Sequence, residues 1–234
     1  MTGMFTKTAA IAAAGLALTS GANATLISFS DPSGLAAEAE FTLLNPNQIQ
    51  IRLQNTSTGV PMGFESADQL LTGLSWNSFG VVGQTITGGS GITGPTSSSI
   101  GFSITDVGPG DDIGGEWGHG AGPISGLLNH FISGNTSGLT LFGGANLDGP
   151  AGADGPQAGL VASPILVALG GVGAIQDEII VTINLSLAQP NLDFLKDTEL
   201  LVEFGSSAAF IRVPTPGSLA LFGVAGLAAA RRRR

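Results

Sequence analysis

Residues 37–54 constrain this chain more tightly than any other stretch. Ala37-Glu38-Ala39-Glu40-Phe41-Thr42-Leu43 and Gln48-Ile49-Gln50-Ile51-Arg52-Leu53-Gln54 alternate apolar and polar residues, and Asn45-Pro46-Asn47 between them is turn chemistry. Successive strand side chains point to opposite faces, so this pattern is satisfied by a β-hairpin with one face in a core and one in water. Alternation returns at residues 178–187, through Ile183, Leu185 and Leu187. Residues 199–204 followed by 208–213 read as a closing hairpin. Shorter β-rich stretches lie at 69–76, 99–104 and 139–142. The spacing predicts an all-β fold, an antiparallel β-sandwich of jelly-roll-like type, in which the first and last strand pairs can share a sheet.

Helix is expected to be scarce, with residues 124–132 and 191–196 as the two short candidates. Residues 80–98 and 143–159 are rich in glycine and read as long loops or irregular hairpins over the sandwich. The chain has no cysteine, so core packing and backbone pairing must hold it together without disulfides. That also excludes thiolate metal sites and cysteine nucleophiles.

The two ends differ from the middle. Lys7, the apolar run 9–18 and the small-x-small site Ala22-Asn23-Ala24 have the layout of a secretory signal peptide, cleaved before Thr25. At the other end stand Val213, Pro214, Thr215, Pro216 and Gly217, an apolar segment to Ala230, and then Arg231, Arg232, Arg233 and Arg234. Gly217 to Ala230 is fourteen residues. As a helix it spans about 21 Å, against a bilayer core of about 30 Å, so it is short for a permanent anchor. The arginines are costly to move across a membrane and hold the terminus on the cytoplasmic side. Pro214 and Pro216 favour extended backbone that a peptidase can engage.

This C-terminal arrangement resembles the PEP-CTERM sorting domain of Gram-negative bacteria: a Pro-Glu-Pro motif, a short transmembrane helix and a closing arginine cluster. The likeness covers about a tenth of the chain, and Thr215 stands where the family has Glu. It implies processing by an exosortase, a membrane-embedded cysteine peptidase, after export across the inner membrane. It also implies a cell-surface or extracellular destination and an association with biofilm and exopolysaccharide. The organisation expected is signal peptide 1–24, a single β-sandwich domain 25–212 and a sorting tail 213–234.

Between the tags, the 189 residues from Thr25 to Val213 carry all seventeen acidic residues and only Arg52, Lys196 and Arg212 as bases, a formal charge of −14. Such a surface argues against nucleic acid or anionic lipid held through charge. Cations and neutral polysaccharides are the partners it admits.

Few residues invite chemistry. Asp111, Asp112 and Glu116 lie in a glycine-rich segment, and loops bearing carboxylates are how Ca²⁺ gathers oxygen ligands. A solvated acidic turn is the alternative, since the spacing matches no EF-hand. Trp117, followed by Gly118, can stack on a sugar ring or close one end of the core. His119 and His130 are eleven residues apart, with no HExxH frame. No Gly-x-Ser-x-Gly elbow or phosphate loop is present, so no enzyme is expected. The expected role is a structural or interaction protein of the surface or matrix. A carbohydrate-binding or calcium-dependent adhesion module is the alternative.

Overall fold

The structure is a computed structural model and describes residues 23–58, 66–102, 105–123, 126–136, 138–144, 147, 157–163, 173–206 and 209–213. The first strands are β1 (Ala24–Ser30), β2 (Ala36–Asn45), β3 (Gln48–Asn55), β4 (Leu71–Trp76) and β5 (Ile86–Thr93). Short strands follow: β6 (Ser98–Ile100), β7 (Gly118–Ala121), β8 (His130–Ser133), β9 (Thr140–Leu141), β10 (Leu160–Val161) and β11 (Ala174–Gln176). The chain continues with β12 (Glu178–Leu185), the one-turn helix α1 (Phe194–Asp197), β13 (Leu200–Phe204) and β14 (Ala209–Val213).

Alternation in the sequence becomes alternation in burial. Along β3 every second residue is buried, and its inward set of Ile49, Ile51 and Leu53 faces Leu43, Phe41 and Ala39 of β2 across the hairpin. On the other side β12 places Ile183, Val181 and Ile179 opposite the same three residues. The hairpin expected at 37–54 is therefore the centre of an antiparallel five-stranded sheet, ordered β1-β2-β3-β12-β5. A slip of one residue would turn every inward side chain to water, which is what fixes the register.

The second sheet is built on β4, which pairs β8, β13 and, at Leu71, β10. It runs β6-β11-β10-β4-β8-β7-β9, with β14 added beyond β13. Its inward face supplies Leu74, Trp76, Ile132, Leu200, Val202 and Phe204 to one core shared with the first sheet. Trp76 sits edge-on to both Phe41 and Phe79, with ring centroids 6.0 and 5.4 Å away, a favoured aromatic geometry. A smaller cluster, including Phe131, Leu201 and Leu127, covers the outer face, which is why every residue of β13 is buried.

Four expectations are corrected. The last hairpin, β13–β14, joins the second sheet and not the one that holds β1–β3. That sheet is mixed, because β10 and β11 run parallel. Residues 86–93, within a stretch read as loop, form edge strand β5 beside β12. Glycine there provides close approach: a Cβ on Gly89 would lie 2.2 Å from the Thr182 carbonyl oxygen and 2.9 Å from the Phe142 ring. Finally, 130–132 of the expected helix at 124–132 belongs to strand β8, wedged between β4 and β7. The other helix candidate is reduced to the single turn of α1.

Strand direction gives the sandwich two distinct poles. At the pole of the β2–β3 turn, β1 begins, with Ala24 opposite Thr42, and β12 ends, with Leu185 opposite Ile86. β4 ends there at Trp76, opposite the first residue of β13, Leu200, which in turn faces Val213 at the end of β14. Segments 77–85 and 186–199 cross this turn pole. The far pole carries the β1–β2 turn and the junction of β5 with β12.

Overpacking a core typically costs about 1–3 kcal/mol, whereas an exposed substitution stays within about 0.5 kcal/mol. Gly89→Ala should fall in the first class and Ser90→Ala, on the outer face of the same strand, in the second. Urea unfolding of the two variants checks this, and equal midpoints would remove β5 from the sheet.

Candidate functional site

The residues singled out for chemistry are drawn into the fold. Trp117 is fully buried, and its indole Nε1 donates to the Ala158 carbonyl at 2.9 Å. The glycine that matters to it is Gly134, where a Cβ would come 3.1 Å from the indole. The ring therefore offers no face to a sugar, and the core reading of Trp117 holds.

The three acids diverge. Asp111 accepts from the Gly108 amide at 2.9 Å and Asp112 from the Gly114 amide at 2.7 Å, each closing its own turn at an exposed position. Glu116 points inward, 3 % exposed, and accepts from the Leu147 amide at 2.7 Å. Among the described residues no three His, Cys, Asp or Glu side chains come close enough together to hold a metal ion. The turn reading of Asp111 and Asp112 accounts for their bonds, and a calcium site on the three acids is not assembled.

His119 and His130 share the inward face of the β7–β8 pair, opposite Ile132 and Ala121 respectively. His130 lies against Trp76 and Phe79, with centroid distances of 6.3 and 4.7 Å, and His119 against Phe142 at 5.6 Å. His119 Nε2 and His130 Nδ1 lack hydrogen-bond partners among the described residues. Burial pushes both imidazoles below their ordinary pKa, because protonation would place an uncompensated charge against apolar rings. Burial of His119 and half-burial of His130 favour the neutral imidazole in both.

Among the described residues, the turn pole carries an open cavity and exposed apolar side chains. A cavity of about 300 Å³ opens there between segments 78–81 and 189–198, walled by Phe79, Pro190 and Phe194. The Gln189 amide closes it from below, donating to the carbonyls of Phe79 at 3.1 Å and Asn191 at 2.9 Å. The exposed large apolar side chains among the described residues are Leu44 at 49 %, Val82 at 98 % and Leu187 at 44 %. All three belong to this pole. Gln84 ties their segments together, accepting from the Leu187 amide and donating to its carbonyl, both at 2.8 Å, while Gln189 N–H donates to Pro46 beside Leu44.

The sequence hid this grouping. Alternation places Leu187 inward with Ile183 and Leu185, but β12 ends at Leu185, so the period no longer applies. Val82 sits in a glycine-flanked turn. Leu44 breaks the alternation after Leu43, and that break is the one signal in the chain.

The sorting residues meet the fold at its edges. Ala24 is the first residue of β1, so cleavage after it leaves the pairs from Thr25–Phe41 to Ser30–Ala36 intact. Val213 is the last residue of β14. Ala22, Pro214 to Gly217 and Arg231 to Arg234 lie outside the described residues. Among the described residues no helix is long and apolar enough to cross a membrane, and the segment to Ala230 is not among them.

The histidines have a pH consequence. An imidazole whose folded pKa is depressed binds its proton more readily in the unfolded chain, so acid favours unfolding. Stability should begin to fall as pH drops through about 6.5, the unfolded value, and the histidine contribution should be fully lost below the depressed folded values. Urea midpoints at pH 8 and pH 5 should therefore differ by less in the His119→Leu/His130→Leu double variant than in the parent. An unchanged difference would refute the buried neutral state. Comparison of the chain with protein-family models, with curated proteins and with solved structures finds no match in any of the three.

Proposed function

We propose that this chain is an exported surface or matrix protein, delivered by a cleaved signal peptide and processed at its tail by an exosortase-type membrane peptidase. Its mature part is an acidic β-sandwich with a structural or interaction role connected with biofilm or exopolysaccharide. The observation that carries the reading is the order of the tail: Pro214 and Pro216, a short apolar segment, then four terminal arginines, beginning where β14 ends at Val213. A peptidase acting at that motif would cut beside a finished hairpin and leave β13 and β14 paired. A non-enzymatic role is supported by what the candidate side chains do. Trp117 and Glu116 serve the core, Asp111 and Asp112 close turns, and both imidazoles face apolar rings.

The arginine cluster supplies the energetic argument. On insertion scales each Arg at mid-membrane costs about 2.5–3.5 kcal/mol, so four together stop translocation of a segment as weakly apolar as this one. Replacing Arg231 to Arg234 by alanine in the native host should release the stop, and the chain should appear in the periplasm or medium with its tail uncut. Pro216→Ala should instead leave a tail-bearing chain in the membrane fraction. Fractionation and tail length identical to the parent in both variants would refute the sorting reading.

A further inference from the structure

We infer that the turn pole of the sandwich rests on the lipid bilayer surface while the tail is inserted, with Val82 and Leu187 in the interfacial region and the acidic pole turned away. The inference rests on the sorting reading and adds to it an orientation and a contact surface.

Three independent features place the same pole toward lipid. Both ends of the described chain leave from it: Ala24 begins β1 opposite Thr42, and Val213 ends β14 opposite Leu200. Beyond Val213 only four residues separate the fold from the apolar segment at 218–230, a reach of at most about 14 Å. A sandwich tethered that closely meets the membrane with the pole that carries the tether.

The second feature is apolar exposure. Leu44, Val82 and Leu187 are the exposed large hydrophobic residues among those described, and all three stand at this pole, which also holds the cavity lined by Phe79, Pro190 and Phe194 with Asp193 and Asp197. None belongs to a core cluster. Side chains of this kind favour the headgroup and acyl boundary over water.

The third is charge. The turn pole carries Lys196 and Arg212, two of the mature region's three bases. Lys196 pairs with Asp193, and Arg212 with Glu199 at 2.6 Å, so of the three acids on segment 186–199 only the exposed Asp197 is not offset by a base, and the pole carries little net charge. The far pole gathers unmatched acids: Asp31 in the β1–β2 turn, Asp111 and Asp112 beside the end of β5, and Asp177 at the start of β12. A bilayer with anionic lipids repels that pole and tolerates the other, so electrostatics and the apolar contact select the same orientation.

The absence of cysteine makes the test clean, since each introduced thiol is unique. Val82→Cys, Leu187→Cys and, on an exposed turn at the far pole, Thr96→Cys are each made in the full chain, labelled with an environment-sensitive fluorophore and reconstituted into phosphatidylcholine vesicles. Flotation reports anchoring, a lipid-borne quencher reports contact, and unchanged tryptophan emission reports the fold. Quenching at 82 and 187 severalfold stronger than at 96 is expected. Flotation with equal quenching at all three positions overturns the orientation and leaves the sorting reading standing. Failure to float overturns both.

Discussion

The structure depends on the interlocking of two inward faces whose register is set by strict alternation. β2, β3 and β12 present Phe41, Ile51 and Val181 side by side, and the opposite sheet answers with Trp76, itself clasped between Phe41 and Phe79. No covalent cross-link supports this arrangement. The cost of a register slip, which would expose the whole inward set at once, substitutes for one. The polar groups that enter the core follow from the same constraint. Asn55 donates to the Gln69 and Leu160 carbonyls at 3.1 and 2.7 Å, joining the end of β3 to the second sheet. Glu178, nearly buried at the start of β12, is met by Arg52 Nε at 2.5 Å from the neighbouring strand.

A sandwich closed in this way brings its turns and connecting segments together at two poles. Strand parity puts both ends at one pole: β1 starts where the β2–β3 turn lies, and β14, a hairpin partner of β13, finishes beside Trp76 and Leu200. The delivery segments proposed at either end therefore adjoin the fold on one side, and cleavage after Ala24 would cost the β1–β2 ladder only its Ala24–Thr42 end. Asp31, Asp111, Asp112 and Asp177 lie at the other side, without the bases that pair Asp193 and Glu199 at the turn pole. Residues 25–213 carry a formal charge of −14, and the membrane orientation proposed above would set the turn pole against lipid with most of that charge turned away.

Much of the fold was legible where one face is buried and the other wet. The β2–β3 hairpin and β12 show period-two patterning and are found, and the closing hairpin β13–β14 is found as well, although β13 is buried along its whole length. Legibility failed where the physics is not periodic. The glycines of β5 carry no pattern, yet Gly89 is needed so that the Thr182 carbonyl and the Phe142 ring can approach its backbone. Residues 124–132 are densely apolar but short, a case in which period cannot separate helix from strand. Trp117 was ambiguous because its burial depends on Gly134 and Ala158, distant in sequence. The acids at 111, 112 and 116 are close in sequence but diverge in space, since two close turns and one faces the core. The exposed apolar pole became visible only once the strand ends were known.

Intact mass spectrometry of the protein recovered from the envelope or medium of its native host tests the account most directly, because one spectrum reads both ends of the chain. The account predicts a polypeptide that begins at Thr25 and lacks Arg231 to Arg234. A mature surface form that keeps the arginine cluster, or a folded full-length chain in the cytosol with its leader uncut, would contradict it.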